Sequence, residues 1–313
     1  MKLSVVVPVH NEESGIDHFH QTLTDVLDKL SLESFEILYI NDGSSDRTID
    51  KLHAIAAHSK SVKIISFTRN FGKEIALAAG ITASTGDAVI TIDADDQQPP
   101  NLIPDFLAKW QAGAPVVTGI RKHYQKHGVI AKLGSKLFYF AIRKMGADTI
   151  PGSTDYRLID RSVVEEFKKL TEHNRITRGL IDWMGFRQDY VYYVYGNRYA
   201  GKPSYNFKKL TKLAIDSFIS LSIKPLLFFG WIGLAITLLS GALGLFVIVE
   251  EFIMNDPIGL HWTGPTCLAI FITFLVGIVL VSQSVIALYI SHIHTESLGR
   301  PLYIIDPKNS RGV

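Results

Sequence analysis

The chain has 313 residues, of which 47% are hydrophobic and 20% charged, with 32 Lys and Arg against 30 Asp and Glu and a formal net charge of +2. So balanced a charge offers no basic footprint for nucleic acid. The only cysteine is Cys267, which excludes an intramolecular disulfide, and a length of this size admits about two domains.

The first 120 residues alternate strand and helix. Leu3 to Val9, Phe35 to Ile40, Val62 to Phe67, Ala88 to Ile92 and Pro115 to Thr118 are short apolar runs rich in Val and Ile and bounded by turn residues, the pattern of strands. Helices are predicted near 15 to 30, 46 to 58, 73 to 83 and 101 to 112. The opening run is too short for a signal peptide and meets Asn11, Glu12 and Glu13 at once. Nearly continuous apolar strands alternating with helices predict a parallel sheet covered on both faces, whose ligands lie beyond the carboxyl ends of the strands. Those ends carry the polar residues: Pro8-Val9-His10-Asn11-Glu12, then Asn41-Asp42-Gly43-Ser44-Ser45-Asp46, then Arg69-Asn70-Phe71-Gly72-Lys73, then Asp93-Ala94-Asp95-Asp96-Gln97. Helix capping accounts for some of them, but not for four clusters at once. Residues i and i+2 of an extended chain share a face, so Asp93 and Asp95 can offer oxygens to one hard cation. Chance supplies about one such spacing in a chain of this length, so its setting carries the reading. No G-x-G-x-x-G follows the first strand and no G-x-x-x-x-G-K-[ST] occurs, which disfavours a dinucleotide oxidoreductase and a P-loop ATPase.

From Ile120 to Ala147 the basic residues Arg121, Lys122, Lys126, Lys132, Lys136, Arg143 and Lys144 meet no acid, beside apolar positions at helical spacing. An interfacial helix and a solvated basic helix fit this equally. Gln188 to Tyr195 alternates like a half-buried strand, and Arg198 to Tyr205 is a loop. Asn206 to Ile223 repeats the basic amphipathic theme. Leu226 to Val249, about 24 residues without charge and about 36 Å long as a helix, predicts one membrane span. The uncharged run Pro265 to Ile290 predicts a second. Lys208, Lys209, Lys212 and Lys224 before the first span and Arg300, Lys308 and Arg311 after the second, against Glu250, Glu251 and Asp256 between them, place both termini on the cytoplasmic side.

Six segments, VVVPVHNEE, YINDGSSDRT, TRNFGKEIALAAG, TGDAVITIDADDQQPP, STDYRLIDR and NRYAGKPSY, occur in this order between residues 3 and 205. Together with the two C-terminal spans they resemble the family 2 glycosyltransferases, and within them the polyisoprenyl-phosphate glycosyltransferases. The resemblance implies an α/β fold, with a mostly parallel nucleotide-sugar-binding sheet flanked by helices, followed by interfacial amphipathic helices and two transmembrane helices. The divisions are a cytosolic domain over 1–205, a juxtamembrane segment over 206–224, two spans over 225–291 and a cytosolic tail over 292–313. It further implies that Pro8, Glu12, Asp42, Lys73 and Asp93 hold the nucleotide, and that Asp93, Asp95 and Gln97 hold Mg2+ or Mn2+. Arg121, Lys132, Ser135 and Arg198 would receive the acceptor phosphate. Asp155 stands at the position of a base, or else orients Arg157 or Arg121 through an ion pair.

The implied reaction is inverting transfer of one hexose, glucose from UDP-glucose being favoured, to a polyisoprenyl phosphate, undecaprenyl phosphate, at the cytoplasmic face of the cell membrane. A homo-oligomer, by resemblance a tetramer, is expected. Gly201-Lys202-Pro203-Ser204-Tyr205 departs from the usual Gly-x-Ser-Lys-Tyr, and Gln-x-x-Arg-Trp of processive synthases is absent, which favours a single transfer. The alternatives are a membrane-anchored nucleotide-sugar-binding protein without catalysis and a lipid-linked sugar translocator. The latter is disfavoured by two spans without charge; Ser282, Gln283 and Ser284 suit contacts between helices.

Overall fold

The computed structural model describes residues 1–122, 152–172, 175–194 and 264–312, with the single positions 242 and 249. They fall into two units, Met1–Phe207 with Gly299–Val313, and Lys208–Leu298.

In the first unit β1 (Lys2–Val9), β2 (Ser34–Asn41), β3 (Val62–Ser66) and β4 (Ala88–Thr91) are linked by α1 (Ile16–Leu27), α2 (Thr48–His58) and α3 (Lys73–Ala83). A short 3-10 turn, Pro100–Leu102, leads into α4 (Ile103–Gln111), followed by β5 (Val116–Lys122). Then come β6 (Ser153–Asp160), α5 (Arg161–Lys169), α6 (Thr177–Trp183) and β7 (Gln188–Val194). Among the described residues these strands form one sheet in the order β3-β2-β1-β4-β6-β5-β7. Only β6 runs against its neighbours, antiparallel to β4 and to β5, while β7 is parallel to β5. The predicted parallel sheet is present, with this one reversed strand inserted.

Two apolar layers cover the sheet. On one face α1 buries Ile16, Phe19, Leu23 and Leu27, a stripe at helical spacing in which each side chain contributes about 1.5–3 kcal/mol. On the other face α3 is buried nearly all round through small residues, Ala76, Ala78, Ala79 and Gly80 among them. They let the helix lie directly on β1: a Cβ on Gly80 would stand 2.2 Å from Val6 Cγ1.

A charge sits inside the sheet as well. Glu36 on β2 is 3% exposed. It accepts from Ser4 Oγ at 2.6 Å and from the Thr85 backbone N–H and Oγ1 at 2.7 Å each, with Lys63 Nζ 2.9 Å away. That satisfaction is what allows a carboxylate there.

The second unit contains α7 (Gly264–Ser297), about 51 Å long at the α-helical rise. Large side chains described along it, Leu268, Ile272, Val279 and Ile290, are exposed. Counting only the described residues, no helix is long and apolar enough to cross a membrane; side chains are described at only part of α7. The span expected at Leu226 to Val249 and both basic amphipathic segments lie outside the described residues, apart from positions 120–122 and 242 and 249.

Candidate functional site

Three loops at the carboxyl edge of the parallel strands are tied to one another. Asn11, in the left-handed region at φ 56°, accepts from the Ser45 backbone N–H at 2.8 Å, and its own N–H donates to Ser44 Oγ at 3.1 Å. The Glu12 N–H donates to Thr48 Oγ1 at 2.9 Å. The carboxylate of Asp42, 3% exposed, accepts from the backbone N–H groups of Phe71 and Gly72 at 2.7 and 2.9 Å. Gly43 makes this junction possible: its φ is +59° and a Cβ would stand 2.3 Å from the Arg69 carbonyl carbon. Pro8, paired with Ile40 across β1 and β2, lies beside this junction.

The charged centre lies one strand further on. Lys73 is the first residue of α3. Its Nζ is 2.7 Å from Asp93 Oδ1, 2.8 Å from Asp93 Oδ2 and 3.1 Å from Asp155 Oδ2. The two carboxylates are 19% and 18% exposed and the lysine 37%. Burial alone would lower the Lys73 ammonium, but the carboxylates of Asp93 and Asp155 hold it well above its ordinary value. Burial would raise Asp155; Lys73, then Arg178 and Arg157, outweigh it and leave the group below the ordinary carboxylate range. For Asp93 burial prevails over Lys73, and the group is raised. One ammonium thus serves two acids, and Asp155 is the more readily ionised. The ion pair of Asp155 is with Lys73, whereas Arg157 binds Asp182, Nη1 to Oδ1 at 2.7 Å and Nη2 to Oδ2 at 3.3 Å.

Asp95 and Gln97 are half-buried in the turn after β4, where the Gln97 N–H donates to Asp95 Oδ1 at 3.2 Å. Among the described residues no group of three His, Cys, Asp or Glu forms a metal cage. A divalent cation that takes most of its ligands from a diphosphate needs only one or two carboxylates from the protein. Buried oxygens without a hydrogen-bond partner, Asp96 Oδ2 and Asp155 Oδ1, add acceptor capacity here. The donor set therefore fits a hard cation held chiefly through Asp95 and Gln97, because Asp93 already receives Lys73 and the Gln98 amide, Nε2 to Oδ2 at 2.8 Å. Arg121 is the penultimate residue of β5, its N–H bonded to Gly152 O at 2.9 Å. Lys132, Ser135 and Arg198 lie outside the described residues.

Sequence reasoning did not single out four of the residues around this centre. Gln98, 1% exposed, both accepts from the Asp93 N–H at 2.9 Å and donates to its carboxylate. Glu74 accepts from the Thr177 N–H at 2.8 Å and so fixes the start of α6 against α3. Arg157 Nη1 donates to the Arg178 carbonyl at 3.4 Å. These two contacts hold Arg178 on the face that carries Asp155, and its guanidinium has no hydrogen bond or ion pair among the described residues. Asp182 neutralises Arg157 from the far end of α6. An unbroken run of polar residues after the fourth strand signalled Gln98; the others depend on which segments meet, which spacing does not disclose.

Fold and site together define an α/β protein with its ionisable groups at the carboxyl edge of parallel strands, where such sheets bind nucleotides. The chain belongs to glycosyl transferase family 2, whose pattern matches residues 4–167. It is 38% identical over 306 residues to an uncharacterised glycosyltransferase of Synechocystis sp., covering 97% of this chain and 95% of that protein. To the bactoprenol glucosyl transferase of Shigella phage SfV it is 39% identical over 306 residues, 97% of this chain and 98% of the relative. Among solved structures it resembles glucosyl-3-phosphoglycerate synthase from Mycobacterium tuberculosis, crystallised with Mn2+, UDP and phosphoglyceric acid. That match is 21% identical with a TM-score of 0.52, over 70% of this chain and 77% of the other, and is one of fold.

Proposed function

We propose that this protein transfers one hexose, glucose from UDP-glucose, to a polyisoprenyl phosphate of the undecaprenyl type, with inversion at the anomeric carbon. The observation that carries the reading is the Lys73–Asp93–Asp155 centre at the carboxyl edge of the sheet. The full-length likeness to a phage bactoprenol glucosyl transferase supports it. An oxygen of the acceptor phosphate forms the new bond to the anomeric carbon as the bond to the UDP β-phosphate oxygen breaks, and UDP departs with the electron pair. The acceptor is already anionic near neutral pH, so positioning matters more than deprotonation. Asp155, held ionised, accepts a hydrogen bond from the sugar or the last proton of the acceptor phosphate.

Pro8, Glu12, Asp42 and Lys73 would hold the nucleotide, and Arg121, Lys132, Ser135 and Arg198 the acceptor phosphate. Mg2+ or Mn2+ at Asp95 and Gln97, with Asp93 beside them, would stabilise charge on the leaving diphosphate as a Lewis acid. The acceptor's lipid tail places the reaction at a membrane. Two spans, over 226–249 and within α7, would hold the catalytic unit against the cytoplasmic face of the cell membrane, as a homo-oligomer.

The test uses the full chain in nanodiscs with labelled UDP- and GDP-sugars, a short-chain polyprenyl phosphate and Mn2+. A mild-acid-labile glucolipid formed from UDP-glucose is expected, and Asp95→Asn, which keeps an oxygen to accept from the Gln97 N–H, should abolish the Mn2+-dependent product while leaving the melting temperature within about 4 °C. A fully active Asp95→Asn protein, or product from no nucleotide sugar, overturns the reading.

A further inference from the structure

The C-terminal tail adds itself to the outer edge of the sheet. The Thr68 N–H donates to Ile304 O at 3.0 Å and the Asp306 N–H to Ser66 O at 2.7 Å. Ile64 and Arg311 exchange both backbone bonds, at 2.9 and 2.8 Å, and Ser310 Oγ accepts from the Ser66 N–H at 3.0 Å. These contacts pair the otherwise open edge of β3, a liability in any sheet, and they also lead inward. The Tyr303 ring stacks on Phe67 at 4.8 Å, and Phe67 meets Phe71 edge-on at 5.7 Å. Arg69 covers the Phe71 ring at 4.1 Å. Phe71 and Gly72 are the residues whose backbone N–H groups bind the Asp42 carboxylate.

We propose that the tail is a strap for donor binding, in which Tyr303 acts as a positioning residue: through Phe67 and Phe71 it fixes the loop that orients Asp42, and so sets affinity for the nucleoside diphosphate part of the substrate. The nucleotide role of Asp42 rests on the function proposed above; the mechanical coupling from Tyr303 to the Phe71 and Gly72 amides does not. The Tyr303 hydroxyl has no hydrogen-bond partner among the described residues, so only its ring is required.

The experiment compares full-length wild type, Tyr303→Ala, Tyr303→Phe and a chain ending at Leu302, in nanodiscs. Three quantities are measured: UDP dissociation constants by calorimetry, steady-state kinetics with UDP-glucose, and hydrogen exchange at the Phe71 and Gly72 amides. For Tyr303→Ala we expect exchange at these amides and the UDP Kd and donor KM to rise about two- to tenfold, the size of one aromatic contact. The truncated chain should lose more. Donor-saturated kcat and the acceptor KM should stay within about twofold, and Tyr303→Phe should behave as wild type, because the ring stack survives. Unchanged exchange and Kd in Tyr303→Ala, or a fall in kcat alone, overturns the proposal. Faster exchange with no UDP binding by any of the four proteins would retain the coupling and reject the donor reading instead.

Discussion

Replacing Lys73 by Met removes the only ammonium described between two half-buried acids, and the consequence can be followed in sign and size. In the native centre Nζ lies within 2.7–3.1 Å of Asp93 and Asp155. Breaking a buried pair by deleting one partner costs about 3–5 kcal/mol. Lys73 retains 37% exposure, so water replaces part of what is lost and a deficit of roughly 2–3 kcal/mol is the better figure. For a unit of this size that is roughly 4–12 °C in Tm. The deficit must also depend on pH. Lys73 is the main influence opposing burial at both carboxyls, so without it both rise. A carboxyl raised in the folded state binds protons more tightly than it does unfolded, so folding is favoured at low pH and stability falls as pH rises through the raised values. The variant should therefore lie closer to wild type at pH 5 than at pH 8, and adding Asp93→Asn should recover about half of the loss. Thermal unfolding of the full chain, followed by fluorescence across that range, is the assay. A deficit that is flat, or larger at pH 5, refutes this account of the centre.

Two other substitutions test neighbouring parts. Burial alone would raise Glu36, but Ser4, Thr85 and Lys63 bring its carboxyl down to about 2, a difference worth up to about 3 kcal/mol. This stability is complete above the ordinary carboxylate range and is lost as pH falls towards 2, so Glu36→Gln should destabilise most at pH 7, keep most of that deficit at pH 4 and converge with wild type only near pH 2, as urea melts across that range would show. If the Arg178 guanidinium, which acts on Asp155, also receives the acceptor phosphate, Arg178→Ala should lower kcat/KM for the polyprenyl phosphate about 10–100-fold, the range of a charge-assisted hydrogen bond, with UDP affinity unchanged. Because Arg178 helps to hold Asp155 low, the acid limb of the pH–rate profile should move upward; a profile that keeps its position argues against an influence on Asp155.

The parallel half of the sheet was legible because each strand there is a short, nearly uniform apolar run, and each ends in residues that cannot stay buried. The strand β6 was not. Its sequence Ser153-Thr154-Asp155-Tyr156-Arg157-Leu158-Ile159-Asp160 carries two charges on the face that packs against helices, which reads as surface. It is a central strand all the same, since Arg157, at 2% exposure, is neutralised by Asp182 some 25 residues later. Burial of a charge depends on a partner that local pattern does not contain. Likewise α6, seven residues long, is too short to show a helical period, whereas α5 carries one in Val163, Val164 and Phe167. Asp42, Lys73, Asp93 and Asp95 were visible because they lie in the polar segments that follow apolar strands; Glu74 and Arg178 were not, because their importance lies in contacts between α3, α6 and β6.

The reversed strand also explains how Asp155 enters the centre. In the β4–β6 ladder Thr91 pairs with Arg157. Asp93 lies two residues beyond Thr91, and because β6 runs the opposite way, the residue facing that position is two before Arg157, which is Asp155. The pairing therefore sets the two acids opposite each other past the end of β4, on one face, and the first turn of α3 lowers Lys73 between them. The hydroxyl of Thr91 donates to the Asp155 carbonyl and to the Arg157 carbonyl at 3.4 Å, which pins this register. A slip of one residue would turn Asp155 to the opposite face, into the layer that holds Tyr156 and Leu158, and carry Arg157 away from Asp182. A parallel strand in the same place would deliver its last residues to this edge, and the acid would have to stand at its end. By reversing β6 the fold brings the beginning of a strand to the carboxyl edge, where Asp155 can remain partly exposed while the buried Arg157 anchors the strand behind it.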